Sequence, residues 1–190
     1  MYTIGIDVGG TNLKAGLVNE AFEIVDAKKM PLVWESPEKF AGDLCALATA
    51  LVEKNGISRD QVQYIGMGVP GVVDVNKGTI VKTVNIPIRN MPVAEMIQRS
   101  WDIPVYLGND ADCAALGEFY HFANKDIESL ILVTLGTGVG TGIILNGKIL
   151  RGFNGCAGEG GHMVIVSDGE QCTCGRRGCW ERYASATALV

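Results

Sequence analysis

The sequence holds 190 residues, 47% of them hydrophobic, with a formal net charge of -5. That is enough apolar material for a sizeable core in one or two domains, and no apolar run reaches the roughly 20 residues of a membrane helix. The acidic balance gives no electrostatic case for a nucleic-acid partner, whose phosphates call for a basic patch.

The chain opens as a meander. Apolar stretches at 2–6 and 13–18 flank the turn Asp7-Val8-Gly9-Gly10-Thr11-Asn12, and a third predicted strand covers 22–30. Ser36 and Pro37 form an N-cap and first-turn pair for a helix whose apolar positions Phe40, Leu44, Leu47, Ala48 and Leu51 recur at helical spacing, and Gly56 closes it. A buried strand at 62–67 runs into the glycine loop 66–71. A hairpin is predicted over 74–81 around Asn76-Lys77-Gly78, followed by a polar loop at 85–90. The pattern then predicts a helix at 92–101, a strand at 104–107 and a helix at 111–122 introduced by Gly108-Asn109-Asp110.

The beginning of the chain recurs 127 positions later. Ile6-Asp7-Val8-Gly9 falls on Val133-Thr134-Leu135-Gly136, and Ala15 to Asn19 fall on Gly142 to Asn146. Such self-similarity predicts two half-domains on one plan, each presenting a glycine hairpin. The expected division is a first half-domain at 1–122 and the start of a second at 123–190. The second stops before it repeats the first, so the sequence is expected to belong to a longer protein.

Glycine-rich turns at strand ends expose consecutive backbone N–H groups that suit anions, although such turns also serve simply to join strands. Two are present, residues 7–12 and 135–141, and neither continues into a Walker or dinucleotide-binding fingerprint. Asp110, between a strand and a helix, is either an ordinary N-cap or a carboxylate carried into a cleft.

The segment 155–181 is the most specific. Cys172-Thr-Cys174-Gly-Arg-Arg-Gly-Cys179 with His162 upstream matches a closed Cys3His zinc site, and its glycines allow the tight fold that brings the sulfurs together. A disulfide framework is disfavoured, because no secretory leader pattern opens the sequence. Cys45, Cys113 and Cys156 read as core or near-core residues. His121, the second histidine, reads as the last turn of a helix. A short apolar strand is predicted after His162, and the start of a helix over 182–190.

Taken together, Asp7-x-Gly-Gly-Thr11, Gly66-x-Gly-x-Pro-Gly71, Asn109-Asp110-Ala, Gly136-Thr-Gly138-x-Gly140, Gly158-Glu159-x-Gly-His162 and the Cys172 to Glu181 run resemble the ROK family of sugar kinases and repressors across the whole chain. With Tyr183-Ala-Ser-Ala-Thr187, the zinc motif is most similar to its bacterial zinc-containing glucokinases. The resemblance implies an α/β, actin-like (ribonuclease H-like) ATPase fold and transfer of the ATP γ-phosphoryl group to the 6-hydroxyl of a hexose. Residue by residue, it implies Asp110 as general base, and Asn109, Asp110, Glu159, His162 and Glu181 on the sugar. Asp7, Gly9, Gly10, Thr11, Gly136, Thr137 and Gly138 are implied for Mg2+ and the phosphates of ATP. His162, Cys172, Cys174 and Cys179 are implied on a structural Zn2+. Asp112 stands where the family commonly has Asn.

The alternatives on the same scaffold are kinases for N-acetylmannosamine, allose or fructose, and a sugar-sensing regulator without catalysis. The resemblance further implies a homo-oligomer, dimer or tetramer, with sugar and ATP as small-molecule partners, while charge, hydropathy and the opening residues lead to the expectation of a cytoplasmic protein with no nucleic-acid and no membrane partner. The adenosine pocket is expected beyond Val190.

Overall fold

The computed structural model describes residues 1–83, 86–122 and 127–190, which form two compact units, Met1–Asp110 and Ala111–Val190. The division expected after residue 122 adjoins residues 123–126, which lie outside the described residues. Among the described residues, no helix is long and apolar enough to cross a membrane.

The first unit runs β1 (Tyr2–Val8), β2 (Asn12–Asn19), β3 (Ile24–Pro31), α1 (Pro37–Lys54), β4 (Val62–Val69), β5 (Val72–Asp74), β6 (Thr79–Lys82), β7 (Arg89–Met91), α2 (Val93–Trp101) and β8 (Val105–Asn109). The main sheet has the order β3-β2-β1-β4-β8. The first three strands are an antiparallel meander, whereas β4 and β8 run parallel to β1 and are reached through α1 and α2. Alternation puts Ile4, Ile6 and Val8 of β1 and Leu13, Ala15 and Leu17 of β2 into the core. They meet Phe40, Leu44, Leu47 and Leu51 of α1 and Val93 and Ile97 of α2 in one apolar cluster. Fully buried side chains of this size each stabilise the fold by about 1.5–3 kcal/mol. Ser36 Oγ accepts the Lys39 amide at 3.1 Å and fixes where α1 starts, with Pro37 in its first turn.

Strands β5, β6 and β7 form a small antiparallel sheet. The polar loop predicted at 85–90 therefore differs: Arg89–Met91 pairs with β6, a contact no local pattern announces, while residues 84 and 85 lie outside the described residues. The third strand also starts later than predicted. Phe22 takes φ 61° in a turn in which Asn19 Oδ1 accepts the amides of Ala21 and Glu23, so pairing resumes only at Ile24.

The second unit begins within α3 (Asp110–His121) and continues through β9 (Leu130–Leu135), β10 (Val139–Leu145) and β11 (Lys148–Ile149), a sheet of order β11-β10-β9. Gly142 of β10 lies against Ala115 and the Ala111 carbonyl of α3 so closely that no Cβ would fit. The remainder is mostly irregular: a 3-10 turn at Gly160–His162 and the single helical turn α4 (Glu181–Ala184). The apolar run Met163 to Val166 is not the predicted strand. Only Val164 makes an isolated bridge, to Cys179, and all four side chains are exposed. The helix predicted over 182–190 likewise ends at Ala184.

The two glycine hairpins share a plan but not a register. Val8 pairs with Leu13 and encloses residues 9–12, whereas Leu135 pairs with Val139 and encloses only 136–138. The ungapped sequence repeat therefore conceals a turn one residue shorter.

Asp26 of β3 ties the sheet to the end of α1, receiving Lys54 Nζ at 2.7 Å and Asn55 Nδ2 at 3.0 Å. The Lys54 hydrogen bond, then that of Asn55, pull its carboxyl down to about 2 from an ordinary 3.8. A depressed acid contributes stability above its unfolded pKa and loses it as pH falls through the folded one. Replacing Asp26→Asn is thus expected to flatten the dependence of thermal stability on pH between 3.8 and about 2, with little change in that slope near neutrality.

Candidate functional site

In the first unit, Asp7 is the next-to-last residue of β1, and the antiparallel register sets it opposite Lys14. Lys14 Nζ donates to Asp7 Oδ2 at 3.0 Å on the exposed surface. Gly9, Gly10 and Thr11 make the turn, with the Gly9 amide bonded to the Asn12 carbonyl at 2.9 Å and Asn12 Nδ2 donating to Thr11 Oγ1 at 2.9 Å. Asn109 closes β8, and its Nδ2 donates to the carbonyl of Gly71 at 3.2 Å. That bond holds the end of the glycine loop after β4. Gly71 has φ 108°, and a Cβ there would strike the Lys82 carbonyl, so glycine is required. Asp110 is the first residue of α3, immediately after the parallel strand β8.

In the second unit, a strand-turn-strand and an irregular knuckle come together. Gly136, Thr137 and Gly138 form the β9–β10 turn, closed by the Gly136 amide on the Gly138 carbonyl at 3.0 Å. The Ala186 amide donates to the Gly136 carbonyl at 2.9 Å, and a Cβ on Gly138 would stand 2.7 Å from Glu181 Oε2. Glu181 also accepts from Cys172 Sγ at 2.9 Å and lies 3.5 Å from His162 Nδ1. His162 Nε2 faces the other way, 3.9 Å from Glu159 Oε2.

The donor atoms of His162, Cys172, Cys174 and Cys179 all lie within 4.8 Å of one another. Cys174 and Cys179 sulfurs are 3.6 Å apart, and Cys172 Sγ is 3.6 Å from His162 Nδ1. Tetrahedral zinc with Zn–S near 2.3 Å separates its sulfurs by about 3.8 Å, so the donor set and spacing fit that ion. The loop achieves this through Gly175 at φ 93° and Gly178 at φ 77°, with the Cys172 amide bonded to the Arg176 carbonyl at 2.8 Å. The thiols are unequal. Burial, then the Glu181 hydrogen bond, pushes Cys172 up to about 12. Burial also raises Cys174, but the Arg176 backbone amide and neighbouring donors outweigh it and bring that thiol down to about 6.

The structure thus gathers Glu159, His162, Glu181, the cysteines and the 136–138 turn within the second unit. Asp7, the 9–11 turn, Asn109 and Asp110 belong to the first. Lys14 is absent from the sequence-based set. Its signal was available in principle, since the opposing position across a hairpin at Asp7 follows once the turn length is known.

The sequence profile of the ROK family matches residues 3–190. The chain belongs to the ROK family. It is 40% identical over 195 aligned positions to the glucokinase of Halalkalibacterium halodurans, covering 98% of this chain and 57% of that protein. It is 36% identical to the xylose repressor of Bacillus subtilis, covering 100% of this chain and 49% of the repressor. Among solved structures it resembles the ROK family glucokinase from Streptomyces griseus in complex with glucose and AMPPNP, with 38% identity and a TM-score of 0.86 over 100% of this chain and 59% of that one. The fold is the mixed α/β, actin-like ATPase fold of ROK sugar kinases. The chain spans 57% of the glucokinase it matches.

The cluster is expected to take up one zinc per chain by metal analysis, and Cys172→Ser to lose most of it. Because the thiols must lose their protons on binding, zinc affinity should fall as pH is lowered, with proton release measurable by calorimetry in buffers of different ionisation heat.

Proposed function

We propose that this chain belongs to an ATP-dependent glucokinase that transfers the γ-phosphoryl group of ATP to the 6-hydroxyl of glucose. The observation that carries the proposal is the packing of Glu159, His162 and Glu181 around the Cys3His cluster with the 136–138 turn against Glu181. Acceptors and donors suited to sugar hydroxyls stand beside a turn suited to phosphate. The likeness to glucokinases supports the choice of reaction.

In this proposal Asp110 takes the proton of the sugar's 6-hydroxyl while the oxygen of that hydroxyl attacks the γ-phosphorus. The bond to the bridging oxygen breaks, and ADP leaves with that electron pair. Asn109, Asp110, Glu159, His162 and Glu181 bond the sugar hydroxyls and fix the reacting one in line. Backbone amides of Gly9, Gly10, Thr11, Gly136, Thr137 and Gly138 hold the phosphates, and Lys14 adds a cation beside Asp7. Asp7 would supply one carboxylate to Mg2+, which takes one or two such ligands alongside nucleotide phosphates. His162, Cys172, Cys174 and Cys179 would hold a structural Zn2+, which would supply a cross-link for the knuckle, while His162 bonds the sugar from the side that faces Glu159. Homo-oligomeric assembly, carried from the family resemblance, and cytoplasmic residence belong to the same proposal.

A sugar-sensing regulator is the second reading, favoured by the likeness to the xylose repressor. Kinases for N-acetylmannosamine, allose or fructose would use the same polar residues.

The test is turnover by the full-length protein on glucose, mannose, fructose, allose and N-acetylmannosamine. Glucose is expected to give the highest kcat/KM, and Asp110→Asn to lower kcat by roughly 10²- to 10⁴-fold while glucose still binds. Sugar binding without turnover of any sugar would favour the regulator.

A further inference from the structure

Glu159 lies in a stretch with almost no regular structure, yet the backbone on both sides of it is pressed onto β10. The hydroxyl of Thr141, a buried residue of that strand, donates to the carbonyl of Gly158 and accepts the amide of Gly160 at 2.8 Å. Gly160 sits so close that a Cβ would stand 2.8 Å from Thr141 Oγ1, and a Cβ on Gly161 would run into the Val139 carbonyl. One hydroxyl thus spans Glu159 from the residue before it to the residue after it.

A charge pair backs the same turn. Asp112 is 7% exposed, and a Cβ on Gly158 would lie 3.6 Å from its Oδ1. Its Oδ2 is 3.9 Å from Nε of Arg151, a buried nitrogen with no hydrogen-bond partner among the described residues. The carbonyl of Arg151 accepts the Ala157 amide at 3.0 Å and closes the loop that leads into Gly158. A buried arginine nitrogen at that distance is held by the carboxylate's charge rather than by a hydrogen bond. An amide in place of Asp112 would remove that attraction.

We propose that Thr141 and the Asp112–Arg151 pair are positioning residues for the sugar-reading turn, setting where Glu159 and His162 point. The proposal rests on the kinase reading for its substrate, but its geometry stands apart from it. Thr141 holds the backbone on both sides of Glu159 and the Asp112–Arg151 pair backs Gly158, so they act through Glu159 and His162. The turn is consequently held at two places: against the Cys3His cluster through His162, and against β10 through Thr141.

The test uses the full-length, zinc-loaded protein with Thr141→Val, which keeps the shape and removes the hydroxyl, Thr141→Ser, which restores it, and Asp112→Asn. Thr141→Val, which removes both hydrogen bonds, is expected to raise the KM for glucose roughly tenfold or more, with the KM for ATP within about twofold. Thr141→Ser should return to within about twofold of the wild type. Amide exchange of residues 158–163 should quicken in Thr141→Val and Asp112→Asn, while residues 172–179 and the zinc content stay unchanged. Equal rises in both KM values, or unaltered exchange at 158–163 in both variants, would overturn the proposal. If the wild-type protein neither binds nor phosphorylates a sugar, the kinase reading fails, and the exchange comparison alone decides the positioning role. If Thr141→Val does not fold, Asp112→Asn carries the same comparisons.

Discussion

Four donor atoms lie within 4.8 Å of one another in a segment that has little regular structure. Between β11 and the end of the chain, regular structure amounts to one 3-10 turn and one helical turn. Two isolated bridges, Val164 with Cys179 and Gln171 with Arg177, join the strands of the knuckle. Its apolar residues 163–166 face solvent and add little burial. A segment of this kind recovers little hydrophobic free energy to offset the entropy of ordering it, and a metal held by the four donors would supply a cross-link. The placement of the knuckle is therefore expected to depend on the convergence of the cysteines and His162, beside the tie of its first turn to β10 through Thr141.

What the knuckle places is chemically coherent. Glu181 opens α4 one residue after Trp180, and reaches Cys172, His162 and the 136–138 turn. The same short stretch returns the Ala186 amide to Gly136. The 136–138 turn, Glu181 and His162 consequently meet at one place in the knuckle. In the first unit the comparable turn needs no cross-link, because it joins two strands in the middle of a five-stranded sheet with a full apolar core beneath it.

Most regular elements of the first unit were legible in the sequence, for physical reasons. The alternation of β1 and β2 and the helical spacing from Phe40 to Leu51 each encode a buried face, and Ser36-Pro37 encodes a start. The gathering of His162 with three cysteines was legible too, since ligand type, glycines and spacing agree. Runs without those signals were read less well. Met163 to Val166 is apolar but lies exposed, because composition alone does not say which side a segment presents. β7 forms only through pairing with β6. Lys14, Thr141 and Arg151 owe their partners to register and to tertiary packing, neither of which a local pattern records.

The most direct test of this account is amide hydrogen exchange on the zinc-loaded protein before and after chelation. Local stability that depends on the cluster should vanish with the metal. The account expects residues 160–186 and the 136–138 turn to lose protection together, while β1, β4 and α1 keep theirs. Identical exchange at 160–186 in the loaded and chelated forms would contradict it, showing that the knuckle holds its shape without the cross-link.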